Sequence, residues 1–122
     1  MSTSERATAS IERSRMISDE EVDKALSWLR DNAKTLGDAK AETVRCGHMI
    51  KHVKALVMKM HNEIPFSGQE REALASDRYV KALEADAIAA GEYEKLRALR
   101  EAAALKIEAW RTEQSNFRAM KL

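Results

Sequence analysis

The residues best able to do chemistry lie close together: Cys46, His48, His52 and His61 all fall within residues 43–62. His48 and His52 stand four apart, the spacing that sets two imidazoles on one helical face for a metal. Cys46 would point roughly opposite His48 on a helix, and residues 43–62 contain no acid. The better reading is a solvated basic face, with Cys46 as a small apolar residue near a seam. No metal and no cofactor are assigned. A Cys46–His48 nucleophile would need hydrogen-bond reach, an orienting third group and a pocket. Carboxylate pairs such as Glu84 with Asp86 and Glu92 with Glu94 read as wet helix faces. No glycine-rich loop is present to cradle a phosphate. The chain is therefore expected to be non-enzymatic, without a catalytic residue or a small-molecule substrate.

A second cluster has a different chemistry. Arg13 and Arg15 near the N-terminus, and Arg111, Arg118 and Lys121 near the C-terminus, would meet if the chain folds back on itself. Trp110 and Phe117 interleave with the C-terminal bases, and aromatics among bases can stack on exposed nucleotides. These seven residues are the candidate contacts to nucleic acid or to a partner. The competing reading has the same bases paired with Asp19, Glu20, Glu21 and Asp23, and Trp110 in the core.

The elements that must position these residues are helices. The chain has 122 residues, one proline, four glycines and six aromatics, which suits one domain and is poor material for strands and their turns. Ala, Leu, Glu, Lys and Arg dominate, and they are strong helix formers. Residues 1–17 read as a flexible tail. Residues 18–122 read as one helical domain with helices at about 19–63, 68–75 and 77–120. Ser18 to Glu21 is a capping box, and Ile17 could staple against Val22. Apolar positions then recur at helical spacing: Val22, Leu26, Leu29, Ala33, Leu36, and later Val44, Cys46, Met49 or Ile50, Val53, Leu56 or Val57, and Met60. Gly37 is a weak point at which the helix would bend or break. Pro65 ends the segment, Ser67 to Glu70 forms a second capping box, and Ser76 or Asp77 caps the last helix. Its expected seam is Tyr79, Leu83, Ala87, Ala90, Leu96, Leu99, Ala103, Ile107, Trp110, Gln114 and Phe117, with Gly91 as its weak point.

The fold class expected is all-α: an antiparallel hairpin of two long helices with a short connecting helix. Charge supports the antiparallel sense. Residues 43–62 sum to +4 and residues 63–94 to −5, while residues 19–42 sum to −3 and residues 95–122 to +4. Folding at Pro65 sets each stripe beside its opposite. Counting outward from the joint also puts Trp28 and Trp110 at nearly one level. A lone hairpin shields one stripe per helix, so the apolar content implies coiled-coil-like association, most simply a homodimer forming a four-helix bundle.

The single cysteine excludes an intrachain disulfide and fits a reducing compartment. Met1 to Ser18 holds no apolar run of the kind a signal peptide carries, and no stretch reads as a membrane span. Finally, Leu29-Arg30-Asp31-Asn32-Ala33, Lys106-Ile107-Glu108-Ala109-Trp110-Arg111-Thr112 and Arg118-Ala119-Met120 resemble small helical proteins of tailed phages and prophages, which often sit among replication and recombination genes. The resemblance covers most of residues 17–122. It implies a bacterial cytoplasm, an accessory role in DNA metabolism or host takeover, and a protein or DNA partner. It carries no residue-specific role. The alternative is a structural or assembly oligomer of a virion or its packaging apparatus.

Overall fold

The computed structural model describes residues 17–121, the last by its backbone alone. The expected flexible tail lies outside the described residues, apart from Ile17. Three helices follow in order: α1 (Asp19–Met60), α2 (Phe66–Ala75) and α3 (Asp77–Lys121). Among the described residues there is no strand. This is the order of a helical hairpin, two long helices with a short one connecting them.

The caps explain most of the boundaries. The Glu21 amide donates to Ser18 Oγ at 3.1 Å, and three acids in the first turn of α1 complement its dipole. Ser76 serves two helices: its hydroxyl donates to the Ala73 carbonyl at the end of α2 and accepts from the Tyr79 amide at the start of α3. The second expected capping box does not form. α2 begins at Phe66, with Pro65 at its N-cap and no side-chain cap, so Ser67 is already helical. Proline is well suited to that edge, because its φ is pre-set and it has no amide to satisfy. α1 likewise stops at Met60 rather than near Glu63. The His61 amide bonds back to Met58, and Ile64 to His61, which tightens the chain into a turn ahead of Pro65. Gly68 permits close packing here, since a Cβ at that position would come within 3.1 Å of the Ile64 side chain.

The chain divides into two compact units. One is Lys34–Arg97; of the described residues the other joins 17–33 with 98–121. In the Lys34–Arg97 unit the Lys40 ammonium lies 5.0 Å from the centre of the Tyr93 ring. Lys54 pairs with Glu70 of α2 at 3.0 Å, and Arg78 reaches the Met60 sulfur at 3.7 Å. Contacts that advance along α1 retreat along α3, so the two segments run antiparallel. In the other unit the Trp110 indole N–H donates to Asp19 at 2.9 Å, while Trp28 lines a groove with Leu99 and Ala102. These segments are antiparallel as well.

The seam keeps most of the expected positions and departs from them in phase along parts of both long helices. Along α1 the buried or half-buried positions include Val22, Ala25, Leu29, Asn32, Leu36, Ala39, Thr43, Cys46, Ile50, Val53 and Val57. Along α3 they include Tyr79, Ala82, Asp86, Ala89, Tyr93, Leu96, Ala103, Ile107, Trp110, Gln114 and Phe117. The steps alternate three and four, with one step of seven at the exposed Arg100, giving a 3.5-residue period. Leu26, Ala33, Val44 and Met60 of the expected α1 seam are exposed, as are Leu83, Ala87, Ala90 and Leu99 of the expected α3 seam, while of the paired alternatives Ile50 and Val57 face inward. Ala25, Ala39, Thr43, Ala82 and Ala89 take inner positions that bulk alone does not indicate, because small side chains let two backbones approach closely.

The two tryptophans do not share a level either. Trp28 faces the Leu99–Ala103 segment, roughly two turns from Trp110. α2 lies beside the last turns of α1, as the Lys54–Glu70 pair shows, and Arg78 at the start of α3 meets Met60 at the end of α1.

Neither Gly37 nor Gly91 breaks its helix. Both are exposed, and a Cβ added at either would meet nothing within 4 Å. Glycine in a helix costs about 0.5–1 kcal/mol relative to alanine. The Gly37→Ala, Gly91→Ala double variant should therefore gain about 1–2 kcal/mol. Thermal melting followed by circular dichroism checks this. A lowered midpoint would mean that one of these glycines is not in uninterrupted helix.

Candidate functional site

Three of the seven candidate contacts meet around one open groove. Trp110, Arg111, Gln114, Ser115 and Arg118 line a volume of about 530 Å³ on the last turns of α3. Arg111 and Arg118 are exposed and Trp110 is half-buried. Phe117 is half-buried one heptad beyond Trp110, on the same stripe. Arg13 and Arg15 lie outside the described residues, as does the Lys121 side chain.

The electrostatics of this groove are mixed. The indole N–H of Trp110 is held by the Asp19 carboxylate, which places a negative charge beside the ring. Arg111 is engaged by Glu108 at 3.3 Å. The groove also sits near the C-terminal end of a helix, where the dipole attracts cations rather than anions. The expected pairing of C-terminal bases with the acids of the first α1 turn takes a more local form. Arg111 pairs with Glu108 and Arg97 with Glu94, while Glu20 pairs with Lys24. Neighbours three or four apart on one helix are simply closer than bases reaching across.

A second groove went unnoticed in the sequence. It measures about 260 Å³, and its apolar wall is built by Ala25 and Trp28 of α1 with Leu99, Ala102 and Ala103 of α3. Glu21, Lys24 and Lys106 stand at its edges. Trp28 and Leu99 each precede a seam position by one residue, Leu29 and Arg100. Correct heptad phasing would have placed both on a flank of the seam. The Lys34–Arg97 unit has an exposed apolar stripe of its own on α3, formed by Val80, Leu83, Ala87 and Ala90.

The Cys46 neighbourhood is closed, with its bonding partners Glu42 and Arg45 on α1 and Asp86 of α3 near enough to act on the thiol. Cys46 is 3% exposed. Its thiol donates to a Glu42 oxygen at 3.5 Å and accepts from Arg45 at 3.8 Å. The Arg45 guanidinium, bonded to Glu42, holds that carboxyl down to about 2. Burial pushes the Cys46 thiol above its ordinary value, and the Glu42 carboxylate pushes it the same way. Both act against a thiolate. His48 and His52 are exposed, away from this buried thiol, and His61 is half-buried with Glu63 at 3.9 Å. No group of three or more His, Cys, Asp or Glu side chains among the described residues could hold a metal. Among them, too, no helix is long and apolar enough to cross a membrane.

No protein-family model matches the chain, and no curated protein or solved structure is detectably similar to it.

A buried, protonated thiol should react slowly. Alkylation of Cys46 by iodoacetamide near neutral pH should be at least about tenfold slower in the native chain than in denaturant, because the thiolate is the reactive species. Equal rates in the two states would contradict the burial described.

Proposed function

We propose that this chain is a non-catalytic helical interaction module that works by binding other protein surfaces. One observation carries the reading: the apolar side chains exceed what the helix pairing covers. Among the described residues thirteen large apolar ones are exposed, including Leu26, Leu56, Leu83, Ile88, Leu99 and Leu105. Of the nine buried apolar residues among them five are alanines, and no large side chain among them is fully buried. Large apolar patches on soluble chains mark association sites, and helical hairpins bury such stripes by forming coiled-coil bundles. Self-association into a four-helix bundle and capture of a partner helix both fit this surplus. The resemblance to small helical phage and prophage proteins supports an accessory role in DNA metabolism or host takeover, in a bacterial cytoplasm.

A nucleic-acid contribution is the second reading, favoured by the Trp110–Arg111–Arg118 groove. The Asp19 carboxylate and the helix terminus weaken that groove as a primary anion site, so protein binding takes precedence. Capture from a bacterial host lysate, with and without nuclease, separates the two. The protein-binding reading expects partner proteins that survive nuclease and are lost in the Leu83→Glu, Ile88→Glu variant. Bound material that disappears entirely on nuclease treatment would contradict it. Growth of the purified chain well beyond a dimer with concentration would point instead to an assembly protein.

A further inference from the structure

We propose that the groove between Trp28 and Leu99 receives a second copy of this chain, through a twofold contact that sets α1 of each copy against α3 of the other. The proposal rests on the protein-binding reading and names its first partner. The groove has an apolar floor and two walls of opposite charge. Glu21 stands on the α1 side and Lys106 on the α3 side. Among the described residues neither charged group has a partner, whereas Lys24, at the same edge, is engaged by Glu20 at 3.6 Å.

A ligand of one charge sign would be attracted by one wall and repelled by the other. A surface that carries both signs is best complemented by its own copy, turned about a twofold axis. The contact between Asp19 and Trp110 sets the register. With it, Glu21 and Lys106 lie within about one helical turn of the same level. A twofold axis running along the helices therefore brings Glu21 of each copy to Lys106 of the other, making two ion pairs. The same operation sets the large Trp28 side chain over the small Ala102 of the second copy. The alternative axis, across the helices, would put α1 against α1 and leave Glu21 and Lys106 without their opposites.

Sedimentation equilibrium of the full chain tests this through charge reversal. The unmodified chain should be dimeric. Glu21→Lys and Lys106→Glu should each weaken the dimer about tenfold, as two exposed pairs turn from attraction to repulsion. An equimolar mixture of these two variants should dimerise as tightly as the unmodified chain. The double variant Glu21→Lys, Lys106→Glu should recover dimerisation in a single chain, which separates lost binding from lost folding. Single variants that dimerise normally, or a mixture no tighter than its components, would assign the dimer to another face. The protein-binding reading would then survive while this groove loses its role. A chain that stays monomeric also overturns the proposal, and lysate capture then decides the broader reading independently.

Discussion

The constraint on which the rest depends is the close approach of α1 and α3 along a seam of small side chains. Ala25, Ala39 and Cys46 recur at seven-residue multiples on α1, and Ala82, Ala89 and Ala103 on α3. Alanine removes little apolar area from water, so each such contact is individually weak. What it provides is proximity between the helices, alongside which Val57 and Leu96 are buried and Leu29 and Leu36 half-buried. Within each unit the 3.5-residue period keeps the same face of each helix toward the other. Polar residues at the seam stay satisfied locally: Asn32 donates to the Trp28 carbonyl and Thr43 to the Lys40 carbonyl. They therefore do not oppose burial of their neighbours.

Small seam residues have a consequence at the surface. The large apolar side chains are displaced to the flanks, where water reaches them. Leu26, Leu56, Leu83 and Leu99 are each at least 42% exposed. Helix propensity and local ion pairs, such as Lys34 with Asp38 at 2.7 Å, support the helices individually, at a few tenths of a kcal/mol per pair. They do nothing to cover those flanks. Within each unit small residues therefore face inward and large apolar side chains stand on the flanks.

Much of the architecture is legible in the residues. Ser18 and Ser76 announce their helices through hydroxyls at the N-cap, Pro65 announces the joint, and the alternating charge stripes give the antiparallel sense. The seam phase is harder to read, because bulk is a poor guide when contact favours small residues. Leu83, Ala87 and Ala90 follow a helical repeat as faithful as that of Ala82, Asp86 and Ala89, and only the packing tells them apart. Residue counting from Pro65 does not give the register, which rests on side-chain contacts such as that of Trp110 with Asp19. The basic groove was partly legible, since Trp110, Arg111 and Arg118 do converge. The role of Asp19 as the indole acceptor was not, because it depends on a contact between residues 91 positions apart.

The central claim is the phase of the seam, and two adjacent alanines test it most directly. Ala89 is 8% exposed and Ala90 is exposed. A lysine at position 89 must bury a charge or force the helices apart, which costs several kcal/mol. A lysine at position 90 extends into water. Thermal unfolding of Ala89→Lys and Ala90→Lys should show a collapse of the midpoint, by more than about 10 °C, for the first, and a shift within about 2 °C for the second. Equal shifts, or the reverse order, would contradict the pairing from which everything else follows.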